Sequence, residues 1–131
     1  ELARYQRDRV LIVGDAAHAL VPHQGAGAGQ ALEDAYVLAT LLADASCRSH
    51  NVSTVLSAFE QVRHSRTCKV QRTSHEAGDV YEYAGEGIGD DEAELINNLE
   101  SRFEWLWNHD PHEDVIAAKN SLKFETSENW G

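Results

Sequence analysis

Methionine is absent from the sequence, cysteine and proline occur twice each, and basic residues are scarce, 11 Lys and Arg against 22 Asp and Glu. Each shortage excludes something. Cys47 and Cys68 form no Cys-x-x-Cys pair and cannot build the disulfide framework of a small secreted domain, so a reducing, cytoplasmic setting is expected. The formal net charge of −11 repels nucleic acid and anionic membrane surfaces, and neither is expected as a partner. No apolar run reaches membrane-spanning length, and no signal-peptide pattern is visible. The missing methionine carries its own expectation. Reading frames open with Met, whereas this chain opens with Glu1 and soon enters the apolar run Val10-Leu11-Ile12-Val13. A buried strand so near a chain end needs neighbours, so a fragment of a longer protein is expected.

What is present is enough for a folded unit. The 131 residues match one ordinary domain, and a hydrophobic fraction of 42% supports a core. Val10 to Val13, closed by Gly14, predicts a short strand buried on both faces. Gln30 to Ala43 predicts a helix with Leu32, Ala35, Leu38, Ala39 and Leu42 on one face and an opposite face hardly polar beyond Glu33, Asp34 and Thr40, so burial over much of its girth is expected. A second helix is expected from Thr54 to Ala77, with Ser53 as N-cap and Val55, Phe59, Val62 and Val70 on its apolar side. Gly85-Glu86-Gly87-Ile88-Gly89 reads as a break. Asp91, with Glu94 three residues on, resembles a capping box for a third helix carrying Leu95, Leu99, Phe103 and Leu106. A short helix is expected within Glu113 to Leu122. The reading is therefore mostly helical, with one short strand near the N-terminus.

Chemistry concentrates between Val10 and Asp34. Asp15 follows the strand's C-terminal end, where open α/β sheets place their ligands, and a carboxylate there accepts hydrogen bonds from sugar-like hydroxyls. Gly25, Gly27 and Gly29 remove side chains, so that a ligand can lie against bare backbone N–H groups. The helix N-terminus beyond them adds unpaired donors and partial positive charge. Pro22 fixes the turn and offers a flat apolar ring. The pattern suits a flat, polyhydroxylated, partly anionic ligand.

Gly14-Asp15-Ala16-Ala17-His18-Ala19, Pro22-His23-Gln24-Gly25-Ala26-Gly27-Ala28-Gly29-Gln30 and Glu33-Asp34-Ala35 together resemble the second flavin motif of single-component FAD-dependent aromatic hydroxylases, notably fungal salicylate hydroxylase-like proteins. The resemblance is close from Arg9 to Leu42. It is weaker through Phe59, Arg63, Arg66, Val70, Gln71 and Ser74, and at Trp105-Leu106-Trp107-Asn108-His109-Asp110. It implies an α/β parent fold of the Rossmann-like flavoprotein kind. It implies that Asp15 binds a ribityl hydroxyl of FAD, that Pro22 lies beside the isoalloxazine, and that backbone N–H groups at Gly27 and Ala28 face the flavin edge. It further implies NAD(P)H as reductant, O2 as oxidant and a small aromatic substrate, with the flavin doing the chemistry and no side chain here needed as nucleophile or acid. The family's Gly-x-Gly-x-x-Gly turn, which holds the pyrophosphate, is missing, because Gly25-x-Gly27-x-Gly29 and Gly85-x-Gly87-x-Gly89 have the wrong spacing.

The expected organisation is residues 1–45 as the C-terminal portion of an FAD-binding domain, 46–124 as a helical region and 125–131 as a loose tail. Alone, the chain is expected to be inactive. A second reading makes it a truncated remnant serving as a helical interaction module, and a third an unrelated helical protein whose glycine turn holds an anion. Asp15 as a turn residue bonding a nearby N–H is the bland alternative to a flavin contact. His18 reads as a packed histidine, while His23, after Pro22, is left open. His109, Asp110 and His112 fit no standard metal spacing and read as a polar helix exit, so no metal is expected. Arg63, Arg66, Lys69 and Arg72 read as a solvated basic stripe, with contact to acidic segments as the rival. Trp105 and Trp107 read as packing anchors.

Overall fold

The computed structural model describes residues 1–88 and 90–127, with side chains through residue 122. The chain opens on an antiparallel hairpin, β1 (Gln6–Arg7) and β2 (Val10–Leu11), with Gln6 opposite Leu11 and Arg7 opposite Val10. Asp8 turns the chain at φ 55, a left-handed conformation that short polar residues tolerate. This corrects the expected single strand buried on both faces. Val10 pairs with the residues just before it and is 67% exposed. A short continuous apolar run carries no periodicity, so it does not report which side chains will be covered.

Helices follow: α1 (Asp15–His18), a 3₁₀ turn at Pro22–Gln24, α2 (Gly27–Leu42), α3 (Val52–Tyr81), α4 (Glu92–Ser101), α5 (Glu104–Trp107) and α6 (Pro111–Ser127). The architecture is mostly helical, with two short strands where one is expected. Helix α2 starts at Gly27 rather than Gln30, so the glycine stretch forms its first turn. Helix α3 outruns the expected Thr54–Ala77 at both ends, and Asn51 rather than Ser53 precedes it. The Asp91 carboxylate accepts the Glu94 N–H at 3.0 Å, as the Asp91–Glu94 spacing predicts. Asp110 plays the same part for α6, accepting the His112 N–H at 2.8 Å, with Pro111 at the first helical position. The expected loose tail over 125–131 is helical through Ser127, and residues 128–131 lie outside the described residues. So does Gly89 of the second glycine run.

The core sits where α2, α3 and α6 meet: Val37 and Leu41 from α2, Val55, Ala58 and Phe59 from α3, Val115 and Ala118 from α6. The hairpin is moored to α3. Tyr5 Oη lies 2.8 Å from Thr67 Oγ1, and the Tyr5 and Gln6 N–H groups donate to the Glu60 carboxylate. Helix α2 does not bury the expected Leu32–Leu42 stripe. Its buried residues are Gln30, Asp34, Val37 and Leu41, and Leu32 is 71% exposed. Arg63 of α3 binds both Gln30 and Asp34, which turns the first half of α2 polar side inward.

Candidate functional site

Gly14 closes the hairpin with φ 58 and ψ −142, a backbone open only to glycine without strain. The chain then enters α1, which places Asp15 in its first turn. Asp15 is exposed, and among the described residues its carboxylate has no hydrogen-bond or salt-bridge partner. The 3₁₀ turn carries Pro22 and ends at Gly25, which is left-handed at φ 61 and bonds its N–H to the Pro22 carbonyl at 2.9 Å. Two residues later α2 begins. Its first interior bond runs from Gln30 N to Ala26 O at 2.9 Å, so the amides of the preceding turn keep their donors outward.

These pieces border one groove of about 580 Å³, lined by Asp15, Pro22, Gly25, Gly27 and Ala28, with Leu20, Val21 and Ala31 adding apolar surface. Five of the six expected cofactor-binding residues thus converge. Gly29 lies outside the lining. A Cβ at Gly25 would meet no atom within 4 Å, and one at Gly27 would touch only Leu20 Cδ1, at 4.0 Å. The glycines keep open a space that a ligand can fill. One carboxylate, a row of amide donors at a positive helix end and an apolar flank match the needs of a flat ligand with hydroxyls on one side and an electron-rich edge on the other.

Behind the groove lies a buried charge network. The Asp34 carboxylate accepts from the Gly14 N–H at 3.0 Å, lies 2.6 Å from His18 Nε2, and accepts from Arg63 Nε at 2.8 Å. Arg63 is fully buried, and its guanidinium also donates to Glu33 at 2.7 Å, Asp114 at 3.1 Å, the Gln30 side chain at 3.0 Å and the Gln30 carbonyl at 3.3 Å. Arg66 grips Glu33 through two bonds, at 2.7 and 2.8 Å. Burial alone would push Asp34 upward, but the His18 contact, the Gly14 N–H and Arg63 outweigh it and hold its pKa below the ordinary range. For Glu33 burial is likewise overcome, by Arg66 and Arg63. Arg63 is held above its ordinary value, because Asp34 and Glu33 more than offset its desolvation.

Comparison with known proteins addresses the groove's ligand. The family model for the FAD binding domain matches residues 2–74. The chain belongs to the FAD binding domain family. FAD is that family's cofactor, and the groove's donors and open backbone fit it. Two salicylate hydroxylases of Pseudomonas putida are 49% and 47% identical over 95% and 98% of this chain, and an FAD-dependent monooxygenase of Stachybotrys chartarum is 41% identical over 92%. The chain spans 29%, 29% and 25% of those relatives' lengths. A solved salicylate hydroxylase substrate complex superposes with a TM-score of 0.87 at 47% identity, over 89% of this chain and 28% of that one.

The remaining candidates of this FAD binding domain chain lie outside the groove lining. His18 is packed, as expected, and serves Asp34. His23 turns toward α3: its ring stands 2.7 Å from where a Cβ on Gly78 would lie and edges against Tyr81. The solvated basic stripe is corrected for Arg63 and Arg66, where the rival reading of contact to acidic segments holds. Arg63 and Arg66 hold carboxylates of neighbouring helices, whereas Lys69 and Arg72 are exposed, with Lys69 Nζ 3.9 Å from the Trp105 ring centre. Trp105 carries this cation, whereas Trp107 is 70% exposed, its ring centre 5.4 Å from that of Phe103. His109 bonds Asp114 at 3.0 Å rather than clustering with His112. Glu33, His109 and Asp114 bring ligand atoms within 4.8 Å of one another, but the Arg63 and Arg66 guanidiniums already supply the balancing positive charge. No helix among the described residues is long and apolar enough to cross a membrane. The sequence reading missed the Asp34–Arg63–Glu33 network. Its signal was an adjacent acid pair inside an Ala- and Leu-rich helix, because buried carboxylates need partners.

Proposed function

We propose that this chain forms the ribityl- and isoalloxazine-facing wall of the FAD site in an NAD(P)H- and O2-dependent monooxygenase that hydroxylates a small aromatic substrate of the salicylate kind. The observation that carries the reading is the convergence of Asp15, Pro22, Gly25, Gly27 and Ala28 on one groove at the N-terminus of α2. The relatives' names support the reaction class. When bound, FAD supplies the redox chemistry.

The protein's part is positioning and electrostatics. Asp15 accepts hydrogen bonds from the cofactor's chain of hydroxyls. The amides of Gly27 and Ala28 donate to the ring's electron-rich edge, and the dipole of α2 favours negative charge developing there. The Pro22 ring flanks the flavin and keeps water from that side. The pyrophosphate and most substrate contacts fall to other parts of the flavoprotein, since this chain has no Gly-x-Gly-x-x-Gly turn. The isolated chain accordingly turns over nothing, and the working protein is cytoplasmic.

The test is Asp15→Ala in the full-length flavoprotein. Removing a charged acceptor of ligand hydrogen bonds costs about 1.5–3 kcal/mol, roughly 10- to 100-fold in FAD affinity. Titration of the deflavinated variant with FAD measures this directly. An affinity equal to wild type removes Asp15 from the site and the proposal with it.

A further inference from the structure

The groove's two walls are separate pieces of chain. Asp15 rides on a helix of four residues, and the amide donors belong to the first turn of α2. A helix so short cannot hold its own geometry. What fixes it lies one layer below the surface. Asp34, one α2 turn beyond Gln30, takes the N–H of Gly14 at one end of α1 and the ring of His18 at the other. A single buried carboxylate thus spans α1 from cap to last residue and ties it to the helix that forms the opposite wall. Its second oxygen is held by Arg63, whose remaining donors reach Glu33, Asp114 and Gln30.

We infer that Asp34 is a positioning residue for the flavin, setting the distance between the Asp15 carboxylate and the α2 amide donors while touching neither cofactor nor substrate. Arg63 and His18 are its supports. The inference rests on the groove being the flavin site. It adds that the site's geometry is set by a buried ion pair rather than by the turn residues that line it. Gly14 fits this role, since its N–H reaches Asp34 from a backbone conformation that only glycine adopts freely.

The test uses the full-length flavoprotein. Asp34→Asn keeps the side chain's size but removes the charge and replaces an acceptor oxygen with a donor. FAD affinity is expected to fall by about tenfold or more, the scale seen when a group orienting a ligand-binding residue is lost. The visible circular dichroism of the flavin that still binds is expected to change, because the ring sits differently between the walls. In a double-mutant cycle, Asp15→Ala is expected to cost less in the Asp34→Asn background than alone, since its carboxylate is already misplaced. A purely structural residue would lower the melting temperature while leaving FAD affinity and the flavin spectrum unchanged, and that result overturns the inference. Full additivity of the two substitutions overturns it as well. An Asp15→Ala variant with wild-type affinity defeats the groove assignment instead, which keeps the two failures apart. Should Asp34→Asn fail to fold, His18→Asn removes one support of the same carboxylate and is read by the same three measurements.

Discussion

Replacing Arg63 with methionine tests the buried network more severely than any other single change. It deletes the donors to Asp34, Glu33, Asp114, the Gln30 side chain and the Gln30 carbonyl. Removing one partner of a buried ion pair costs about 3–5 kcal/mol, against a total stability of roughly 5–15 kcal/mol for a domain. The lower end applies, because Glu33 keeps Arg66 and Asp34 keeps Gly14 and His18. The diagnostic feature is pH. In the wild type, Asp34 and Glu33 are depressed in the folded state, so their contribution is present above the ordinary carboxylate range and is lost as pH falls through their lowered values. In Arg63→Met burial at Asp34 is opposed by His18 and Gly14 alone, so the folded state gains affinity for a proton relative to wild type. The deficit relative to wild type should therefore shrink as pH falls through the carboxylate range toward the lowered wild-type values, by up to about 1.4 kcal/mol per pH unit for one proton. Urea denaturation of the full-length protein at several pH values measures the gap. A gap that stays constant or widens refutes the claim that Arg63 holds these carboxylates charged. Arg72→Met is the control. It lies on the same helix with a side chain 62% exposed and a 3.7 Å contact to Glu76, and it should cost well under about 1 kcal/mol at any pH.

Gly14→Ala forces a Cβ into a left-handed backbone and should cost about 1–3 kcal/mol, with a parallel loss of FAD affinity; a variant as stable as wild type would show that the turn relaxes freely. Burial pushes Tyr5 up to about 12, so its stabilising contribution should hold below about pH 10 and be lost as pH rises toward the folded value. Tyr5→Phe should lack that alkaline loss, and alkaline melting curves of the two proteins decide it. Phe59→Ala empties the junction of α2, α3 and α6 and should cost about 3–5 kcal/mol by chemical denaturation. Asp91→Ala removes the α4 cap and should cost about 1 kcal/mol, with faster amide exchange confined to residues near α4.

Much of the helical framework was legible because its signals are local. The Asp91–Glu94 cap and the Val55, Phe59 and Val70 faces need only neighbours three or four residues away, and the structure carries them as the sequence reads. Five of the six residues expected to bind cofactor line the groove for a similar reason, since they fall on one short stretch whose backbone must turn. Gly29 was grouped with them by its glycine spacing, but helix α2 starts at Gly27 and one more step along a helix leaves the lining. The hairpin was missed because four apolar residues in a row carry no information about which side will be covered. Pairing with Gln6 and Arg7 depends on the turn at Asp8, not on the run itself.

The face of α2 was misread for a deeper reason. Hydrophobic periodicity assumes that the buried side is the apolar one. Here the first buried positions of α2 are Gln30 and Asp34, and an arginine from α3 makes them interior. That arrangement costs desolvation, and replacing it with packed hydrocarbon would often be at least as stable. Stability alone therefore does not account for it. A hydrocarbon at residue 34 could not accept the Gly14 N–H or the His18 ring, and α1 would lose its only ties to α2 among the described hydrogen bonds. The polar interior of α2 is thus best understood from the groove inward. On the proposed function, the end of α2 that borders the groove must be kept in register with Asp15. A directional bond from a buried carboxylate fixes such a register, whereas nondirectional apolar contact does not.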